Sequence, residues 1–219
     1  MTINKKLLVI FAVIACFTAC FGDFLAIIIL GNFYPGYSQV FNTMSSLGET
    51  ASPVSAIIST WWIVLGFLII LFALGLRKAF DSDDNYVKIA AWLIILYGLG
   101  EGLGSGLYKA DHVNNLLTTS AIIHEILGGV GIFAILVLPL VMQKVIPRNT
   151  NSGFYKLSFI VFYAGIVLLV MFSFRFFLPE SNILAQYKGL WQRLFVLDYY
   201  LYLIVIALMM IKKRQTETK

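Results

Sequence analysis

Long apolar runs alternate with short polar breaks along almost the whole chain. Runs long enough to cross a bilayer occur at about 7–30, 54–76, 87–107, 118–142, 155–178 and 189–211. A helix rises about 1.5 Å per residue, so each run covers the roughly 30 Å hydrocarbon core. Lipid offers no hydrogen bonds, so every segment must satisfy its own backbone, and helices follow. The strict alternation of a transmembrane β-barrel is absent. The pattern predicts an all-α integral membrane protein: one bundle of six transmembrane helices, with residues 1–219 forming a single membrane domain.

Composition points the same way. Of 219 residues, 60% are apolar and only 12% charged, whereas a soluble domain carries about 25% charged residues. The net charge of +5 does not mark a nucleic-acid binder, because no basic cluster is interleaved with stacking aromatics outside the apolar runs. The partner implied is the lipid bilayer. Most of the 16 Lys and Arg residues fall around Lys5–Lys6, Arg77–Lys78, Lys144 to Lys156 and Lys212–Arg214. Basic residues stay on the cytoplasmic side, so this asymmetry predicts both termini inside (N-in/C-in).

The first run needs a separate check. Lys5–Lys6, the apolar Leu7 to Ala15 and then Cys16 have the outline of a signal peptide, and Val13-Ile14-Ala15-Cys16 loosely fits a lipoprotein cleavage box. Cleavage would leave 16–30, shorter than the roughly 17–25 residues a span needs. The first helix is therefore expected to be retained. Cys16 and Cys20 share a helical face inside it, a spacing that is neither a disulfide framework nor a zinc motif.

The ionisable residues inside the runs carry the chemical signal. Counted inward from the outer helix ends, Arg175 lies about three residues deep, Arg193 four, Glu101 six, His124 and Glu125 six or seven, Asp23 seven and Asp198 nine. That band lies roughly 5–14 Å below the outer surface, and its members come from five different helices. Charges in hydrocarbon face a cavity or one another. Two arrangements follow. Asp23, Glu101, His124, Glu125, Arg193 and Asp198 line an outward-facing ligand pocket, or pairs such as Arg193 with Asp198 and Arg175 with Asp23 pin the helices together. Four carboxylates outnumber two arginines and one histidine, so not every carboxylate has a basic partner.

Glycines at 98, 102 and 106, a second row at 100 and 104, and Gly128, Gly129 and Gly131 predict close packing of the third and fourth spans. That pairing brings Glu101 near His124 and Glu125, with Asp111 and His112 above. His124, Glu101, Asp111 and His112 are the candidate ligands should the site hold a divalent metal, although no HExxH or paired-histidine spacing is present. His124, Glu125 and Glu101 are the candidates for acid–base chemistry. No cofactor is required by the pattern. The first outer loop, 31–53, is the longest connection and the candidate cap for that face.

Several short motifs carry a resemblance: Tyr34-Pro35-Gly36-Tyr37-Ser38, Ser46-Leu47-Gly48, Asp111 followed by His124 in a glycine-rich helix, and Gly189-Leu190-Trp191-Gln192-Arg193-Leu194. From about residue 7 to 211 the chain resembles the uncharacterised bacterial six-helix membrane family known as domain of unknown function 998. It departs from that family in having Tyr108-Lys109-Ala110 before Asp111, where an aromatic–proline step is usual. The resemblance implies a multi-pass protein of the bacterial cytoplasmic membrane and no particular reaction. Three functions stay open. One is binding or transport of a small polar or lipid-headgroup ligand. Another is a membrane-embedded hydrolase or transferase acting on lipid at the outer leaflet. The third is a structural protein stapled by ion pairs.

Overall fold

The structure, a computed structural model, describes residues 5–80, 82–113 and 116–216. Six long apolar helices occupy Lys5–Gly31, Ser55–Ala79, Asn85–Leu107, Thr119–Val145, Ser152–Phe176 and Lys188–Lys213. The chain is an all-α integral membrane protein with six spans. Observed ends differ from the apolar runs by no more than three residues, because backbone hydrogen bonding continues past the last apolar side chain. Arg77, Lys78 and Lys144 sit in such extensions at helix C-termini, where a cation complements the helix dipole.

Side-chain caps set several starts. Asp84 Oδ1 accepts from the Tyr86 and Val87 amides at 2.6 and 3.3 Å, Thr118 Oγ1 from the Ala121 amide at 3.1 Å, and Asn151 Oδ1 from the Phe154 amide at 2.9 Å. Each satisfies an amide that has no partner inside its own helix.

Six crossings bring the last span back to the end where the first begins. The termini therefore share one end of the bundle, and the long 32–54 connection lies at the other. The termini-end half is densely apolar, built around Ile69, Phe72, Leu138, Met142, Ile206 and Met210, each no more than 1% exposed. Two of its polar groups bond locally: Ser158 Oγ lies 2.7 Å from the Tyr202 hydroxyl, and Gln143 Nε2 donates to the Tyr155 carbonyl at 3.2 Å.

The third span is composite. An α-helix over Asn85–Tyr97 gives way to a π-helical segment, Gly98–Gly104, and closes with a short α-turn, Ser105–Leu107. Glycine makes this close packing feasible. A Cβ on Gly102 would lie 2.6 Å from the Gly66 amide nitrogen, and one on Gly106 would lie 2.7 Å from the Ser59 carbonyl. The row at 98, 102 and 106 thus faces the second span. The row at 100 and 104 meets Leu127 and Gly131 of the fourth span, which gives the expected pairing of the third and fourth helices. Wider π turns are common at functional sites, and this one carries Glu101.

The 32–54 loop folds over the end of the bundle. Gly36 takes φ +78°, a left-handed value that glycine adopts without steric cost. A 3₁₀ turn at Met44–Gly48 sinks Met44 and Leu47 into the core. The Leu190 amide donates to the Val40 carbonyl at 2.9 Å and the Met44 amide to Gln192 Oε1 at 2.7 Å, tying the loop to the sixth span. The third and fourth spans are joined through an exposed two-residue β pairing, in which His112 faces Leu117 and Val113 faces Leu116.

Candidate ligand-binding chamber

A cavity of about 330 Å³ lies in the loop-end half, lined by Asp23 of the first span, Glu101 of the third, His124 and Glu125 of the fourth and Arg175 at the end of the fifth. At roughly 30 Å³ per water this is room for about ten waters. Aromatic walls come from Trp62, Tyr97 and Tyr200.

Each charged group is held differently. Asp23 is 1% exposed, and its two carboxylate oxygens accept from Trp61 Nε1 at 3.0 Å and the Tyr200 hydroxyl at 2.9 Å. Gly22 lets Trp61 reach it, since a Cβ there would sit 2.6 Å from the indole ring. Both donors are neutral, so they solvate the carboxylate without cancelling its charge. Glu101 projects from the π segment towards Gly128, where a Cβ would come within 2.9 Å of its Oε1. Among the described residues no hydrogen bond reaches the Glu101 carboxylate. His124 places Nδ1 2.9 Å from the Tyr108 carbonyl. A carbonyl only accepts, so Nδ1 carries the proton and the Nε2 edge is left for other contacts.

Glu125 pairs with Arg175 at 3.1 Å. The Arg175 guanidinium also lies over the Phe172 and Phe176 rings, 4.1 and 4.3 Å from their centroids, a placement that favours a partly desolvated cation. Its Nε has no partner among the described residues. On one side the chamber is lined by Gly129 and Phe133 of the fourth span and Phe176 of the fifth. A Cβ on Gly129 would meet nothing within 4 Å. Phe133 and Phe176 line the chamber and are also 63% and 61% exposed on the outer surface.

The structure brings together Asp23, Glu101, His124, Glu125 and Arg175, but it does not bring Arg193 or Asp198 to this chamber. Arg193 belongs to the loop: its guanidinium donates to Gln39 Oε1 and the Asn42 carbonyl at 2.9 Å each, the Gly189 carbonyl at 2.8 Å and the Tyr37 hydroxyl. Asp198 lies away from the cavity, with Oδ2 unpartnered among the described residues. The pinning pairs Arg193–Asp198 and Arg175–Asp23 do not form, because each of these arginines has taken a different acceptor.

Asp111 and His112 also lie elsewhere. The Asp111 carboxylate accepts from the Thr50 amide at 2.7 Å and the Thr50 hydroxyl at 2.6 Å, while His112 sits exposed in the β pairing. Partial burial pushes Asp111 up, yet the Thr50 bonds, helped by Lys109 and His112, hold its carboxyl below the usual range. Among the described residues no three His, Cys, Asp or Glu side chains could together hold a metal ion. Nor does His124 bond to a neighbouring carboxylate as an acid–base pair would, since its Nδ1 is committed to Tyr108 and Glu125 turns to Arg175.

Reading the chain alone passed over Trp62, Tyr97, Gln192 and Tyr200. Within an apolar run such aromatics look like packing, but Gln192, Val196 and Tyr200 repeat at every fourth position and mark one face of the sixth helix.

The sequence model of the family described as "Protein of unknown function (DUF998)" matches residues 12–209. The chain belongs to that family. No curated protein and no solved structure matches it.

Proposed function

We propose that this member of an uncharacterised membrane family binds a lipid headgroup or a similar small polar group in its chamber, admitted from the bilayer through the seam between the fourth and fifth spans. One observation carries the reading: the Glu101 carboxylate faces an open volume of about 330 Å³ with no hydrogen-bond donor on it among the described residues. A carboxylate in such a place takes a proton, a cation or a ligand's polar group. Three carboxylates share the chamber with one arginine and one histidine, so internal pairing leaves capacity for a ligand. Phe133, Phe176 and Leu169 supply an apolar entrance suited to an acyl chain.

The same reading places the protein in a bacterial cytoplasmic membrane with the termini inside and the chamber towards the outer leaflet, supported by the basic residues at the termini end. A lipid hydrolase or transferase receives less support, because His124 bonds to a backbone carbonyl instead of a carboxylate.

Thermal unfolding of purified protein, with phosphatidylethanolamine, phosphatidylglycerol or neither added to detergent micelles, tests the proposal. A ligand present at 100 times its Kd stabilises by about 2.7 kcal/mol, a shift of several degrees. The expected result is a lipid-dependent rise in wild type that shrinks in Glu101→Gln and His124→Ala. Wild type that unfolds at the same temperature in every lipid overturns it.

A further inference from the structure

A second cavity, of about 320 Å³, adjoins the first at the loop end and is lined by Ser46 and Glu49 of the 32–54 loop, His112 of the β pairing and Lys188 at the start of the sixth span. These residues lie outside the apolar core; Lys188 pairs with exposed Glu180 at 3.4 Å and also acts electrostatically on Glu49. Four residues line both cavities: Ser45, Glu125, Arg175 and Phe176. The two spaces are therefore neighbours separated by a thin wall, and the Glu125–Arg175 pair stands in it.

That wall is lightly fastened. Phe172 and Phe176, on which the guanidinium lies, belong to the same helical segment as Arg175 and hold nothing across the gap. Among the described residues, Arg175 hydrogen-bonds to another span only at Glu125. We infer that the upper cavity is an aqueous entrance to the chamber, with the Glu125–Arg175 pair as its partition. A water-borne small polar molecule and a bilayer-borne one then reach the same carboxylates from two sides. This rests on the chamber being a binding site, and it goes further: contact between a lipid-borne group and a soluble one is what the site is arranged to permit. Both routes end at Asp23 and Glu101, while the cavity at the termini end, lined by Gln143, Arg148 and Tyr155, shares no lining residue with the chamber.

Thiol accessibility tests this in a background lacking Cys16 and Cys20, both of which are buried. Three single cysteines are compared in protein reconstituted in lipid nanodiscs: Ser45→Cys in the shared wall, Ser105→Cys in the chamber, and Ser158→Cys, 0% exposed in the opposite half, as a sealed control. The probe is a charged, membrane-impermeant methanethiosulfonate. Ser45→Cys is expected to react fastest and Ser105→Cys more slowly, but well above the control. Adding Glu125→Gln is expected to speed Ser105→Cys by about tenfold, equivalent to an interaction of about 1.4 kcal/mol, with little change at Ser45→Cys. Ser105→Cys reacting no faster than Ser158→Cys in either background overturns the aqueous entrance. A Ser105→Cys rate indifferent to Glu125→Gln overturns the partition. Lipid-dependent thermal shifts on the same cysteine variants separate loss of the entrance from loss of the chamber's own binding.

Discussion

Arg175 and Arg193 enter the loop-end half from neighbouring spans, at the end of the fifth and the start of the sixth, and the protein treats them in opposite ways. Arg193 spends its donors on four acceptors, three of them in or beside the 32–54 loop. Four of its five N–H donors are thereby committed to the protein. Arg175 makes one ion pair, lies on two rings of its own segment and keeps Nε unpartnered. The first arrangement fixes a loop; the second leaves a charge available beside open volume. Two arginines at similar depth thus separate into a loop fastening and a chamber-lining group, and satisfaction of donors distinguishes them better than burial does.

Mutation should widen that contrast. Arg193→Ala strips support from the loop and leaves Gln39, Asn42 and Tyr37 short of donors. It should lower unfolding stability by about 3 kcal/mol, given about 1.5–3 kcal/mol for a hydrogen bond to a charged group, as read by a denaturation midpoint. Trp61→Phe removes a donor from buried Asp23 and should cost about 1–2 kcal/mol by the same measurement. Arg175→Gln should cost less, about 1 kcal/mol or below, because Glu125 can turn to solvent in the upper cavity. Its larger effect should be a reduced thermal response to lipid. A bigger stability loss in Arg175→Gln than in Arg193→Ala would reverse the assignment of roles.

The smallest effect belongs to Asp111→Asn, and it should depend on pH. Thr50 holds the folded carboxyl below its ordinary value, so the ionised form stabilises the fold above the unfolded aspartate pKa of about 3.9. That contribution fades as pH falls through the lowered folded value. Wild type and Asp111→Asn should differ at pH 7 and converge in strong acid; a gap that persists there contradicts the Thr50 assignment.

The six spans were legible in the sequence because lipid imposes one requirement on every backbone group, and an apolar run is its direct record. Depth was legible too: counting along helices placed Asp23, Glu101, His124 and Glu125 in one layer, and all four line the chamber. Direction around the helix axis was harder to read. Asp198 lies two residues from both Val196 and Tyr200, about 200° around a helix that turns 100° per residue, so it points away although its depth is right. Arg193 could not be separated from Arg175 by depth or residue type. Its partners come from the irregular path of the 32–54 loop, whose turns follow from Gly36 and from tertiary contacts that leave no periodic trace. The π segment was hidden for a related reason: glycines at 98, 100, 102, 104 and 106 permit close packing without specifying the width of the turn.

Gly129 shows what the seam requires. Alanine in a helix interior is favoured over glycine by about 1 kcal/mol in water-exposed hosts, and at this position nothing stands within 4 Å to obstruct a methyl group. Neighbouring Gly128 has a steric reason to lack a side chain, because Glu101 occupies that space; Gly129 has none in the packing. Its bare backbone leaves open space on the fourth span, one turn from Phe133, where the proposed acyl chain would pass.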